Sequence, residues 1–211
     1  MKVIAINGSP DKKGNTFHAL NMAGKELIAG GIEFEILHIG NKLIHGCTAC
    51  GKCAVNKDEK CIIKTDDLNQ WIQQIKKADG ILLGSPVYYS GIPGTMKSFL
   101  DRLFFVSGAN GGLLRQKVAA AVVAVRRTGG SATLDSLNHY LTYSEMIIAT
   151  SNYWNVIHGA SAGEVDRDEE GKQIMSVLGK NIIWLLKMKE ATSGTIKPPK
   201  KAKKVSTNFI R

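Results

Sequence analysis

Short, nearly all-apolar blocks alternate along this chain with longer stretches in which apolar residues return at helical spacing. The first block, 2–6, reads as a buried strand, and 16–30 as a helix offering Phe17, Leu20, Leu27 and Ile28 for packing. A weaker alternation over 32–39 predicts a second strand with Phe34, Ile36 and His38 on one side. Asp66 is expected to cap a helix in which Leu68, Trp71, Ile72 and Ile75 carry the helical period to about 78. Residues 80–84 form a third apolar strand, 95–105 a helix, and 117–125 the clearest central strand. A helix over 131–143, a fifth strand over 146–151 and a closing helix over 169–187 complete the pattern. In that last helix Ile174, Val177, Leu178, Ile182, Trp184 and Leu185 are expected on or near the packed side.

Strands apolar on both faces, each followed by a helix, predict an α/β fold with a five-stranded parallel sheet covered on two sides. Right-handed crossovers put the loops after the strands on one edge of that sheet. The loops are 7–16, 45–65, 85–94, 126–130 and 152–167, and nearly all of the unusual chemistry lies in them. One domain is expected over 1–190, then a basic, flexible tail over 191–211.

Part of the formal charge of +10 sits in that tail, at Lys197, Lys200, Lys201, Lys203 and Lys204. A solvated tail explains it; an anionic partner is the alternative, and no zinc finger or RNA-binding aromatic motif points to nucleic acid. The longest apolar run, 118–125, is too short to span a bilayer, and no secretory pattern follows Lys2. A cytoplasmic location is therefore expected. There, four cysteines suit reduced thiols or a metal centre better than disulfides.

Loop 7–16 offers backbone amides, the Ser9 and Thr16 hydroxyls, the Asn15 amide and a helix N-terminus, a set able to surround phosphate oxygens. It is neither a G-x-G-x-x-G fingerprint nor a nucleotide-triphosphatase loop, and a strand–loop–cap without ligand is the plain alternative. Loop 85–94 combines chain restraint at Pro86 and Pro93, close approach at Gly91 and Gly94, and flat apolar surface at Tyr88 and Tyr89. An isoalloxazine ring needs that combination of backbone amides and an apolar cover. In loop 126–130, Gly129 and Gly130 let amides approach the ring, and Arg126 and Arg127 are candidates to offset negative charge on it.

All four cysteines lie between Cys47 and Cys61, spaced C-x2-C-x2-C-x7-C as Cys47, Cys50, Cys53 and Cys61. Four soft ligands, three of them in one short turn, suit an iron–sulfur cubane. A structural zinc site is the inorganic alternative, although the first three cysteines are spaced more tightly than paired zinc knuckles. His45 is read as a loop histidine with a solvent or backbone partner, and Asp66 and Asp67 as helix-terminus acids rather than catalytic ones.

Taken together, these segments resemble the flavodoxin-like family of NAD(P)H-dependent FMN reductases, and within it the iron–sulfur flavoproteins. The resemblance rests on Gly8-Ser9-Pro10 with Gly14-Asn15-Thr16, on the cysteine segment running into Asp66-Asp67, and on Gly84-Ser85-Pro86-Val87-Tyr88 with Gly91, Gly94, Met96, Lys97 and Asp101-Arg102. Arg126-Arg127 with Gly129-Gly130 corresponds too, so that about 1–187 is covered. It implies a three-layer sandwich of strand order 2-1-3-4-5. FMN phosphate would be held by Ser9, Asn15 and Thr16. The ring would be lined by Pro86, Val87, Tyr88, Tyr89, Ser90 and Gly91 and closed by Arg127, Gly129 and Gly130. Cys47, Cys50, Cys53 and Cys61 would carry a [4Fe–4S] cluster, and the protein would form a homodimer or homotetramer. The implied function is electron transfer between flavin and cluster, with NAD(P)H or a ferredoxin-like carrier as partner. A cluster-free NAD(P)H-dependent FMN or quinone reductase is the alternative. From a different class, a flavodoxin-fold module binding an anionic partner through the tail is also considered.

Overall fold

The computed structural model of the chain describes residues 1–207 and 209–210. The apolar blocks become the strands β1 (Lys2–Asn7), β2 (Glu33–His38), β3 (Gly80–Pro86) and β4 (Val118–Val125), with two short segments, β5 (Ile147–Ile148) and β6 (Val156–His158). All pair in parallel, in the order β2-β1-β3-β4-β5, with β6 also on β4. Registers are unbroken across the centre: Ala5 pairs with both Ile36 and Leu82, and Leu82 with Ala120.

Alternation along each strand feeds two cores. Ile4, Ile6, Ile81, Leu83, Ala121 and Val123 face α3 (Leu68–Lys77), α4 (Gly94–Ala109) and α5 (Gly130–Tyr143), whose Ile72, Phe99, Leu103 and Leu137 are fully buried. Val3, Ala5, Leu82, Ala120 and Val122 face α1 (Asn15–Ala29) and α6 (Glu169–Thr192), through Leu20, Leu27, Met175 and Leu178. Burying each such large aliphatic side chain contributes roughly 1.5–3 kcal/mol, which is why both faces hold helices. The three-layer α/β sandwich and its strand order follow the expectation.

Four details differ from the sequence reading. The strand expected over 146–151 is split: β5 pairs with Val118 and Ala119, the chain then leaves the sheet, and β6 resumes opposite Val123–Val125. Asn155 bridges the gap, its Nδ2 donating to the Ala121 carbonyl at 3.0 Å while its own carbonyl accepts from Val123 at 2.9 Å. Secondly, the cysteine loop contains a short helix, α2 (Lys52–Asn56). Thirdly, Asp67 holds the N-cap position of α3, while Asp66 accepts from the Leu68 amide at 3.3 Å and turns to Arg102. Lastly, α6 runs on to Thr192 and Trp184 is 61% exposed, because the packed stripe of α6 passes through Ile182 and Leu186.

Beyond Ile196 no helix or strand occurs among the described residues, and Lys204 lies 4.5 Å over the Tyr143 ring. The expected tail also includes residues 208 and 211, which lie outside the described set. Among the described residues, no helix is long and apolar enough to cross a membrane.

Candidate functional site

The loop after β1 is shaped from outside itself. Asn7 at the end of β1 accepts from the Ser9 amide at 3.0 Å and donates to the Lys12 carbonyl at 3.3 Å. His38 at the end of β2 bonds the Ser9 carbonyl at 2.8 Å. Neither residue was singled out for this role from sequence; the signal was a polar residue ending an apolar strand. With the backbone held, α1 begins at Asn15 with Gly14 as N-cap, no side-chain cap and no acidic residue in its first turn. The opposite arrangement holds at α6, where Asp168 accepts from the Gly171 amide and Glu169 and Glu170 follow. The first turn of α1 therefore carries no acid of its own against the positive end of its dipole, and the nearest carboxylate is Asp11 just before it, whose Oδ2 would lie 3.2 Å from a Cβ at Gly14.

Two buried polar atoms at that end lack a partner: Thr16 Oγ1 and Asn15 Oδ1. Buried polar groups are seldom left unpaired, so this is where a ligand donor or acceptor fits. The Asn15 Nδ2 group is already committed, donating to the Gly159 carbonyl at 3.0 Å, and Ser9 Oγ accepts from the Asp11 amide at 3.3 Å. The donor set suits a phosphate on Thr16, Ser9 and the first amides of α1.

The loops after β3 and β4 meet at this edge. Tyr88 and Gly91 exchange backbone bonds of 3.0 and 2.9 Å, closing a tight turn in which Tyr89 and Ser90 have φ of 49° and 58°. Left-handed backbone at two successive non-glycine residues is costly, and the turn leaves Tyr89 wholly exposed. Gly129, at φ 87°, sits so near that a Cβ there would come within 2.7 Å of Ser90 Oγ and 3.0 Å of Val87 Cγ1. Pro86 ends β3 opposite Ala124. Pro86, Val87, Ser90 and Gly129 thus share one rim of the sheet. Arg127, Gly129 and Gly130 also line a hollow of about 260 Å³ together with Tyr153 and Trp154. Arg126 and Arg127 are exposed.

The cysteines form a second locus, between the loop after β2 and helices α4 and α5. All four are free thiols, and Cys47, Cys50, Cys53 and Cys61 line one cavity of about 1040 Å³ with Phe104, Phe105 and Tyr140 on its walls. No three metal-binding side chains among the described residues converge closely enough to hold a single ion. The Lys52 amide and the Thr48 hydroxyl hold the exposed Cys50 thiol below its ordinary range. Burial pushes the Cys53 thiol up. Four thiols around one cavity fit a bulky soft-metal cluster in donor chemistry. His45 turns its ring to the Gly46 carbonyl at 2.7 Å.

Beside the cavity, Tyr140 donates to Asp101 at 2.5 Å, and Lys97 donates to both Asp101 oxygens at 2.6 and 2.7 Å. Burial, then the bond to Asp101, pushes the Tyr140 phenol up to about 12. Arg102, one residue on, is buried, and its Nε donates to Cys61 Sγ at 3.3 Å. A charged residue in the buried phase of α4, three positions from Phe99, was the signal in the sequence; its partners were not legible there.

Comparison with known proteins bears on both loci. An iron–sulfur flavoprotein of Methanocaldococcus jannaschii is 33% identical over 195 residues, covering 89% of this chain and 98% of that protein. An iron–sulfur flavoprotein of Methanosarcina thermophila is 28% identical over 189 residues, covering 89% and 96%. The fold is also that of a crystal structure of RosB with bound 8-demethyl-8-formylriboflavin-5′-phosphate, at a TM-score of 0.73 and 16% identity, covering 100% of this chain and 94% of that one. The model of the NADPH-dependent FMN reductase family matches residues 1–161, a span that takes in the phosphate-type loop, the cysteine loop and both rim loops. With its parallel sheet, its uncapped first helix and that match, the chain belongs to the NADPH-dependent FMN reductase family.

Proposed function

We propose that this chain is an FMN-dependent redox protein that also carries a [4Fe–4S] cluster on Cys47, Cys50, Cys53 and Cys61. The observation that carries the flavin reading is the buried, unpartnered Thr16 hydroxyl at the uncapped start of α1. Thr16 and Ser9 bind the phosphate with the first amides of α1, and Asn15 shapes the pocket through its bond to Gly159. Pro86, Val87, Tyr88, Tyr89, Ser90 and Gly91 line the ring on one side. Gly129 and Gly130 bring amides to it, and Arg127 offsets negative charge there. The shared cavity of the four cysteines supports the cluster, as do the names of the two relatives. FMN held there would supply both hydride and single-electron chemistry, which would link a two-electron donor to an iron–sulfur centre. NAD(P)H is the expected donor for the flavin, and a ferredoxin-like carrier the expected one-electron partner. The protein works in the cytoplasm, where its thiols stay reduced, as a homodimer or homotetramer.

The test is anaerobic purification followed by FMN, iron and acid-labile sulfide analysis. FMN with about four iron and four sulfide per chain is the expected result. FMN without iron or sulfide would select a second reading, a cluster-free NAD(P)H-dependent FMN or quinone reductase, which the family match favours. Protein that neither retains nor binds FMN would end both.

A further inference from the structure

Arg102 is the largest fully buried side chain among the described residues, and its carboxylate partner Asp66 is only 4% exposed. Burying a guanidinium is costly unless every donor is used. Such a group has about five N–H donors in a planar fork. In Arg102 the Nε donates to Cys61 Sγ at 3.3 Å, and Nη1 to Asp66 and to the His45 carbonyl at 3.1 Å. Nη2 donates to the Ile63 carbonyl and to Asp66 Oδ1, both at 3.1 Å. No donor is left over.

The identity of those acceptors matters. His45 precedes the first cysteine, while Ile63 and Asp66 follow the last. The fork therefore ties both ends of the cysteine loop to α4, whose Phe99, Leu100 and Leu103 anchor it in the core. A clamp needs only carbonyls and the carboxylate. A thiol is a weak acceptor, so a charge-assisted N–H aimed at Cys61 Sγ is well used only when that sulfur carries negative charge.

We infer that Arg102 is the positioning residue of the cysteine centre, closing the 45–66 loop into its ligand-bearing shape and drawing electron density from the Cys61 sulfur. This rests on the cluster reading above. Closing the loop during folding removes an ordering cost that metal binding would otherwise meet. An N–H donated to a ligand sulfur raises the reduction potential of the centre.

The experiment compares the wild-type chain with Arg102→Lys, and with Arg102→Met combined with Asp66→Asn so that no buried charge is left unpaired. Hydrogen exchange is measured on reduced, chelator-stripped protein. The reconstituted anaerobic proteins are then assayed for iron, sulfide, resistance to chelator and midpoint potential. Amides over 45–66 should exchange about tenfold faster or more in both variants, with β1 and α1 unchanged. Metal affinity should fall by about 10–100-fold, and the Arg102→Lys centre should titrate at a more negative potential. Unchanged FMN affinity reports an intact fold. Where the wild-type chain takes up the cluster, variants that match it in exchange of the stripped protein and in potential of the loaded one would overturn the role of Arg102 alone. A wild-type chain that takes up neither iron nor sulfide would overturn the cluster reading and this inference with it.

Discussion

At the scale of single residues, the chemistry of this protein rests on polar atoms whose partners are either absent or unusually well chosen. Thr16 is the first kind: buried, at a helix N-terminus, with no acceptor for its hydroxyl. Thr16→Val keeps the shape and removes the donor. It should weaken FMN binding by about 10–100-fold, as expected for a hydrogen bond to a charged group. The apo protein should be no less stable, since an unpaired buried hydroxyl is replaced by a methyl. Fluorescence titration and thermal melting read the two effects separately. Equal FMN affinity in the variant would place the phosphate elsewhere. Tyr140 is the second kind. Its phenol keeps its proton to about 12 in the fold, against an ordinary value of 10.0. Folding then binds a proton that the unfolded chain releases, so this contribution is fully present below the ordinary value and is lost as pH rises toward the folded one. Melting temperature should fall more steeply across that window in the wild-type chain than in Tyr140→Phe. Parallel curves would refute the assignment.

Among the elements, the edge of the sheet beyond β4 departs most from a regular design. Polar Ser151 and Asn155 interrupt the strand, and the Asn155 side chain takes over a ladder bond to Ala121. Asn155 is buried, and its Oδ1 accepts from Ser151 at 2.7 Å. The detour carries Tyr153 and Trp154 out of the sheet plane, to the hollow shared with Arg127 and Gly129. Asn155→Leu leaves the Ala121 carbonyl buried without its donor and should cost about 1–3 kcal/mol in urea unfolding. Its effect should be largest on the exchange of β6 amides. A variant as stable as the parent would mean that water or rearranged backbone replaces the side chain. The helices show a parallel division of labour. Acids cap α6, whereas α1 and α5 start on glycines with neither cap nor acid. The loops after β1 and β4 thus lead into helices whose first turns carry no acid against the positive end of the dipole.

On the scale of the whole molecule, apolar side chains exposed among the described residues include Phe105, 59% exposed on the wall of the cysteine cavity, and Tyr89, Tyr153 and Trp154 along the sheet edge. Large exposed apolar patches on one chain mark interaction surfaces. Sedimentation of FMN-loaded protein at micromolar concentration should therefore show particles larger than the 22.9 kDa chain. Particles of single-chain mass with FMN fully bound would rule out the proposed homodimer and homotetramer.

Hydrophobic period alone determined the α/β class, the two-sided sheet and the order of elements, because burial on two faces leaves a local signature in each strand and helix. Residue type and spacing located the rim loops and the cysteine quartet, since glycine, proline and cysteine close together carry their constraint within a few residues. What sequence could not reveal depends on partners far apart in the chain. The break between β5 and β6 is decided by Asn155 reaching Ala121, 34 positions away. The near contact of Gly129 with Ser90 and Val87 exists only because β3 and β4 are neighbours. Asp66 reads locally as a helix cap, yet its stronger partner is Arg102, 36 residues on, inside a core that only folding creates. Local pattern sets which segments form elements and loops; which polar group meets which in the interior is settled when the desolvation cost of each must be offset by whatever tertiary packing brings beside it.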